Sequence, residues 1–375
     1  MRSLALPPGG TTRVRLVLYF TKGLGDVVAE ESAGIVPAIA VLGADDRFLV
    51  AAMTAAEAAA LGEQARTIDD ARLLVAGPER ITSEEGFAAL CASAAGRVRN
   101  ILASDQGDWS GPWSVTLSAR NPGWRDSPGW DPAPVLAAHF PGADLGAAQR
   151  SPVDLRVQAD AEMIHIALNL WSRPIGKRDG GPARPGALRP TVAAALVRLA
   201  IRDTDPAVTR LGVYDPFCGT GTVVAEAAHL GLPVFASDID EHAVELTRRR
   251  LAGELLARQP LAGQQAGAAP AAAGVLRHRV FAHDVRRGPP PRVSARVMVG
   301  NMPWGKQVRV DGRLALFDAT TLLARHLLRD GGTVALLTTH EDALIARLRR
   351  QRLAVSSRRI GLLGQTPAIV VARAG

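Results

Sequence analysis

The clearest chemistry in this sequence lies in four consecutive residues, Asn301-Met302-Pro303-Trp304. The exocyclic NH₂ of a nucleobase is a poor nucleophile, because its lone pair is delocalised into the ring. The side-chain oxygen of Asn301 and the backbone carbonyl of Met302 can both accept a hydrogen bond from such an amine. That pair of contacts draws the nitrogen toward a tetrahedral geometry and frees its lone pair. Pro303 fixes the backbone so that the carbonyl is aimed at the amine, and Trp304 offers a face on which a planar base can stack. Most of the rate would come from aligning the amine with an electrophilic methyl group. No strong base is needed, since the amine becomes acidic once methylated. The competing reading is a turn that caps a strand, with Trp304 as a core aromatic.

A second constellation precedes it: Tyr214-Asp215-Pro216-Phe217-Cys218-Gly219-Thr220-Gly221-Thr222. It reads as a strand that ends in a glycine turn and opens a helix. Glycines let the backbone approach a ligand, and the helix start offers unpaired N–H groups. A phosphate loop would require Gly-Lys-Ser/Thr, whereas this chain has Gly221-Thr222-Val223. Acidic residues follow at successive predicted strand ends. Asp215 can hold the turn or an amino group. Asp238, with Asp240 as second choice, stands where a carboxylate accepts from ribose hydroxyls. Asp284 can accept from an adenine amine. Any one of them alone reads equally as a helix cap. Together with the Asn301 stretch they point to S-adenosyl-L-methionine and a planar amine. The candidate cofactor-binding set is Asp215, Phe217, Gly219, Thr220, Gly221, Thr222, Asp238, Ile239, Asp240, Asp284, Val285 and Asn301.

Positioning these groups requires alternating strands and helices. From residue 190 onward the pattern gives strands at Arg210–Asp215, Pro233–Asp238, Arg279–Ala282, Arg296–Val299 and Gly332–Thr339, with helices between them. Leu353–Ser356 and Ala368–Ala372 read as an antiparallel hairpin at one edge. The expectation is an α/β fold, a Rossmann-like, mostly parallel seven-stranded sheet whose ligands bind at the strands' carboxyl ends. A Gln/Gly/Ala/Pro tract at about 259–275 reads as a mobile insertion.

The first half is α+β. Val14–Phe20 is a strand that turns through Thr21–Gly25 into a helix near Asp26, and a small domain over residues 1–70 follows. Residues 71–171 carry a helix at Ser83–Ile101, a strand at Trp113–Ser118, a Pro/Gly/Trp-rich loop at Asn121–Pro134 and a hairpin around Asp160. Residues 172–189 form a Pro/Gly/basic linker.

The chain has 375 residues, 47% hydrophobic, with a formal net charge of +8, which suits an acidic partner such as nucleic acid. Nearly all of the positive charge is arginine; Lys22, Lys177 and Lys306 are the only lysines. Cys91 and Cys218 form no metal spacing or disulfide framework. Residues 1–12 lack the apolar core of a signal peptide, and no run approaches the about 18 apolar residues of a membrane span. A cytoplasmic protein is expected.

From Asp215 through Thr222, Ser237 through Asp240, and Asn301 through Gly305, the second half resembles class I S-adenosylmethionine-dependent methyltransferases. The whole chain resembles the THUMP-domain RNA guanine-N2 methyltransferases. Leu188–Ala195 is similar to the segment that precedes their first catalytic strand, and Phe20–Glu31 more weakly to their opening strand and helix. Met302 and Trp304 are variants of the family's usual residues. The resemblance implies a ferredoxin-like domain over 1–70, a THUMP-like RNA-binding domain over 71–171 and a catalytic domain over 190–375. It implies catalytic roles for Asn301, Met302, Pro303 and Trp304, RNA contacts from Lys177, Arg178, Arg184 and Lys306, no metal, and a monomer acting on guanine-N2 in tRNA. Two other readings compete: the same chemistry on adenine-N6 or a protein glutamine, and a non-catalytic RNA-binding protein.

Overall fold

The computed structural model describes residues 13–106, 113–119, 129–142, 144–145, 153–160, 163–169, 171, 175–177, 186–257, 278–303, 312–328, 331–362 and 364–374. The insertion expected at about 259–275 lies outside the described residues, as does most of the linker. The chain divides into two compact units, Met1–Phe20 with Val28–Lys177, and Thr21–Val27 with Arg178–Gly375.

The first unit is built on one eight-stranded sheet. Its strands are β1 (Arg13–Tyr19), β2 (Ala40–Ala44), β3 (Phe48–Thr54), β4 (Asp70–Arg80), β5 (Trp113–Ala119), β6 (Asp144–Leu145), β7 (Val153–Asp160) and β8 (Met163–Leu168). Their order is β2-β3-β1-β4-β8-β7-β5-β6. The helices are α1 (Gly25–Ile35), α2 (Ala55–Gln64), α3 (Glu84–Gln106) and α4 (Pro132–His139). Thr54 and Glu57 start α2 with a reciprocal capping box, Thr54 N–H donating to Glu57 Oε2 at 2.7 Å and Glu57 N–H to Thr54 Oγ1 at 3.3 Å. Strand β4 crosses residue 70 and pairs with both β1 and β8, so the sheet is continuous over the expected boundary there.

Helix α4 takes Pro132–Pro134 from the end of the loop expected over Asn121–Pro134, of which residues 121–128 lie outside the described residues. Asp131 accepts from Ala133 N–H at 2.9 Å, and Pro132 occupies the first turn. The missing N–H of a proline costs nothing at a helix start.

The second unit is a seven-stranded sheet ordered β11-β10-β9-β12-β13-β15-β14. Its strands are β9 (Val213–Asp215), β10 (Val234–Asp238), β11 (Arg279–Ala282), β12 (Val297–Asn301), β13 (Thr333–Thr338), β14 (Leu353–Arg359) and β15 (Ala368–Ala374). The pairs from β11 through β13 are parallel, and β15 and β14 are antiparallel at the edge. The helices are α5 (Pro190–Ile201), α6 (Pro206–Thr209), α7 (Thr222–His229), α8 (Glu241–Ala257), α9 (Arg313–Leu327) and α10 (Glu341–Arg350). Alternate strand residues serve opposite faces. Val213, Val297 and Leu337 join α5 and α7, while Tyr214, Met298 and Leu336 join α9 and α10. Leu24 and Val27 belong to the first of these layers, which is why the stretch Thr21–Val27 folds with this unit.

Strand β9 is shorter than the expected Arg210–Asp215. Asp205 caps the short helix α6, accepting from Ala207 N–H at 2.6 Å, and the chain straightens only past Gly212 at φ +109°. The strand order reverses between β9 and β12, and the crevice outside their carboxyl ends is where open α/β sheets bind ligands.

Candidate active site

Three parallel neighbours, β10, β9 and β12, end at Asp238, Asp215 and Asn301, so these side chains meet at one edge of the sheet. The glycine turn rises from β9. Gly219 and Gly221 both have positive φ, +53° and +77°, where a β-carbon is strained. Gly221 donates to the Cys218 carbonyl at 2.7 Å. The N–H groups of Thr220, Thr222 and Val223 have no partner among the described residues. Helix α7 therefore presents its donors to the crevice.

Asp215 is 1% exposed and accepts from Phe217 N–H at 2.9 Å. Burial, with the Asp238 charge adding to it, pushes its carboxyl up to about 8. Asp238 ties β10 to the glycine turn, its Oδ2 accepting from Gly219 N–H at 2.9 Å and its Oδ1 from Asp240 N–H at 3.1 Å. Burial raises its pKa against the pull of those backbone donors. Two carboxyl groups that resist ionisation, beside unpaired N–H donors, suit a ligand carrying both a cation and polar hydroxyls.

The other acids are engaged locally. Asp240 caps α8, accepting from His242 N–H at 2.9 Å. Asp284 caps the 3₁₀ turn Val285–Arg287 and holds Arg286, whose Nη2 lies 2.8 Å from Oδ2. The Arg286 hydrogen bond keeps the Asp284 carboxyl below its ordinary range. Val285 is buried in the core cluster that holds Tyr214 and Met298. Ile239 is 63% exposed and stands between Asp238 and Asp240 as an apolar surface.

Asn301 closes β12. Its amide Nδ2 donates to the Gly186 carbonyl at 3.2 Å, and its Oδ1 is buried with no partner among the described residues. An orphaned carbonyl oxygen costs free energy unless a ligand donor reaches it. Met302 is 1% exposed, and its N–H donates to the Leu337 carbonyl at 3.0 Å. The side chain of Met302 is thus core, while its backbone follows the strand end. Pro303 is half-buried. Trp304 lies outside the described residues, as do Arg178, Arg184 and Lys306; Lys177 is exposed.

Two residues were missed by sequence reasoning. A β-carbon on Gly300 would lie 3.0 Å from Asp215 Oδ1 and 3.4 Å from the Phe217 ring, so any larger residue there would push the Asp215 or Phe217 side chain aside by a few tenths of an ångström. Its position directly before Asn301 was the available signal. Thr247, on α8, sits 3.0 Å from where a β-carbon on Gly221 would be, and nothing in the local sequence marks it.

A sheet wound in this order, with its crevice opening between β9 and β12, has the Rossmann-like arrangement of class I methyltransferase domains. Residues 181–367 match the UPF0020 family model, RMKL-like methyltransferase domain. The tRNA (guanine(6)-N2)-methyltransferase of Thermus thermophilus is 33% identical over 194 residues, 51% of this chain and 51% of the relative. The tRNA (guanine(10)-N2)-dimethyltransferase of Methanothermobacter thermautotrophicus is 38% identical over 68 residues, 18% of each chain. The chain thus spans about half the length, or less, of these curated relatives. Among solved structures, TrmN from Thermus thermophilus superposes with a TM-score of 0.66 at 24% identity, covering 97% of this chain and 100% of that one. A Listeria monocytogenes protein described as a predicted N6-adenine-specific DNA methylase gives 0.65 at 15% identity, over 96% of both chains. At these identities the two structures share the fold with this chain.

Proposed function

We propose that this protein is an S-adenosylmethionine-dependent RNA methyltransferase that modifies the exocyclic N2 amine of guanosine in tRNA. The observation that carries the chemistry is the orphaned, buried Oδ1 of Asn301 at the end of β12. The guanine-N2 and tRNA assignment is supported by the names of the two curated relatives.

When bound, S-adenosylmethionine supplies an electrophilic methyl group on a sulfonium. The residues fit that group: a glycine turn packed closely against Thr247 at Gly221 and against Gly300 of β12, unpaired N–H donors, and the buried carboxyls of Asp215 and Asp238. Asp215 faces the cationic end, Asp238 the ribose hydroxyls, and Ile239 gives an apolar face for the adenine. Asn301 Oδ1 and the Met302 carbonyl accept from the guanine NH₂, and Trp304 stacks on the base. The amine nitrogen would take the methyl carbon as the carbon–sulfur bond breaks, the electron pair staying on sulfur as a neutral thioether, and the surplus proton on nitrogen would leave to water. The same carbonyl geometry could polarise adenine-N6. The tRNA guanine assignment is preferred because both curated relatives carry it by name.

Within this reading residues 1–70 are a ferredoxin-like domain and 71–171 a THUMP-like domain that docks the tRNA. Lys177, Arg178, Arg184 and Lys306 contact its backbone. The enzyme is cytoplasmic and monomeric. No helix among the described residues is long and apolar enough to cross a membrane. The direct test is Asn301→Ala: methyl transfer falls to background while cofactor binding is retained. Retained transfer overturns the role given to Asn301.

A further inference from the structure

Helix α8 grips the back of the glycine turn at two points. Thr247 Oγ1 donates to the Gly219 carbonyl at 3.0 Å, with the Cys218 sulfur 3.4 Å from the same hydroxyl. Arg250 Nε donates to the Thr220 carbonyl at 2.7 Å. Thr247 is fully buried. Burial pulls the Arg250 guanidinium pKa down, and the charges of Glu226 and Glu254 oppose that shift. The packing is equally close, since a β-carbon on Gly221 would lie 3.0 Å from both Cα and Oγ1 of Thr247.

A peptide unit is planar and trans, so its C=O and N–H point in opposite directions. Holding the Gly219 carbonyl on α8 therefore turns the N–H of Thr220 away from α8. That N–H is one of the donors with no partner among the described residues. The Thr220 carbonyl, taken by Arg250, is withdrawn from the α7 ladder, where it would otherwise accept from Val224, and the N–H of the same peptide unit, that of Gly221, turns back to the Cys218 carbonyl at 2.7 Å and closes the turn.

We infer that Thr247 and Arg250 are positioning residues for the cofactor: Thr247 holds the Gly219 carbonyl on α8 so that the Thr220 N–H stays directed at the ligand, and Arg250 fixes the next peptide unit so that the turn keeps that shape. Neither side chain touches the ligand. The inference rests on the cofactor reading above, and two measurements separate the failure of one from the failure of the other.

The first measures amide hydrogen exchange over residues 217–223 in the ligand-free, full-length protein. Thr247→Val, which keeps the shape and removes the hydroxyl, is expected to speed exchange of the turn, and Thr247→Ser to restore protection. The second is calorimetric titration with S-adenosylmethionine. Thr247→Val is expected to weaken binding by about tenfold, the scale of one neutral hydrogen bond. Thr247→Ser should come within about twofold of wild type on the same scale. Arg250→Met is expected to weaken binding several-fold and serves if Thr247→Val does not fold. Unchanged exchange in Thr247→Val overturns the bracing. Faster exchange with unchanged affinity overturns its link to the ligand. Equal losses in the Val and Ser variants assign Thr247 to packing alone and also overturn the inference. Wild-type protein that binds no S-adenosylmethionine overturns the cofactor reading, and the inference with it.

Discussion

Asn301 donates its amide N–H to the carbonyl of Gly186 at 3.2 Å, and that contact decides which end of the amide is engaged by the backbone. With Nδ2 committed, Oδ1 remains buried and without a partner among the described residues. A side chain that needs both a donor to hold it and an acceptor to use cannot be replaced by its closest isostere. Asn301→Asp keeps the acceptor but loses the donor, and it sets a negative charge against the Gly186 carbonyl. Methyl transfer should fall by about a hundredfold or more, the scale of removing a positioned polar group from a transition state. Cofactor affinity, measured by titration, should stay within about twofold of wild type. An Asp variant with wild-type turnover would show that the amide's orientation is irrelevant.

Cofactor binding should be linked to a proton on Asp215. Burial raises this carboxyl from 3.8 to about 8, so the free protein holds a proton that the unfolded chain has released in that window. The sign follows: stability of the ligand-free protein falls as pH rises through the window, because the native state binds more protons than the unfolded state. A cationic ligand group favours the carboxylate. Affinity for S-adenosylmethionine should therefore rise with pH toward 8, by at most about tenfold per pH unit. Calorimetry in buffers of different ionisation enthalpy should register the released proton. Asp215→Asn should flatten the slope, and a pH-independent affinity in wild type counts against the linkage.

Gly300→Ala should be costly and Gly253→Ala should not. The first places a methyl 3.0 Å from Asp215 Oδ1, whereas the second meets nothing within 4 Å on the outer face of α8. Overpacking of this kind costs about 1–3 kcal/mol, so the Gly300 variant should melt several degrees lower and bind cofactor less tightly. Alanine at Gly253 should raise stability by up to about 1 kcal/mol through helix propensity. Thermal melts of the pair, with and without cofactor, check this.

Asp26 fastens the stretch Thr21–Val27 to the second unit. Its carboxylate takes Arg202 Nη1 at 2.7 Å on one oxygen and Arg358 Nη1 on the other. Burial alone would raise its pKa, but hydrogen bonds from Arg358 and Arg202 outweigh that and hold it at about 2. A depressed carboxyl stabilises above its unfolded value and loses that contribution as pH falls toward the folded one. Asp26→Asn should therefore be less stable than wild type at neutral pH. The gap should close between 3.8 and about 2, and should narrow in high salt because the pairs are partly exposed. Denaturant midpoints across pH and salt measure it.

Much of the catalytic half was legible because its signals are local. The strand ends, the glycine turn and the closing hairpin each announce themselves through period, Gly and Pro. The locally capped acids were less legible. Asp240 and Asp284 look like ligand carboxylates by position, yet each accepts from a backbone N–H two residues on, a contact that any Asp before a helix can make. The start of helix α4 was hidden by the Pro/Gly/Trp-rich composition of Asn121–Pro134, within which Asp131 and Pro132 form a cap and a first turn. Gly300 and Thr247 were invisible for another reason. Their constraint comes from Asp215 and Gly221, brought close only by the folded sheet. In the first unit the buried Arg72, held by Asp70 and Asp154 at 2.8 Å each, was equally beyond local pattern.

The central claim is the transfer of a methyl group to guanine-N2 in tRNA. Labelled S-adenosylmethionine should be offered with unmodified tRNA, rRNA, duplex DNA and protein in parallel, and the labelled RNA digested to nucleosides for mass spectrometry. The account predicts N2-methylguanosine, from tRNA alone and dependent on Asn301. Label in DNA, in protein or in another nucleoside would contradict it.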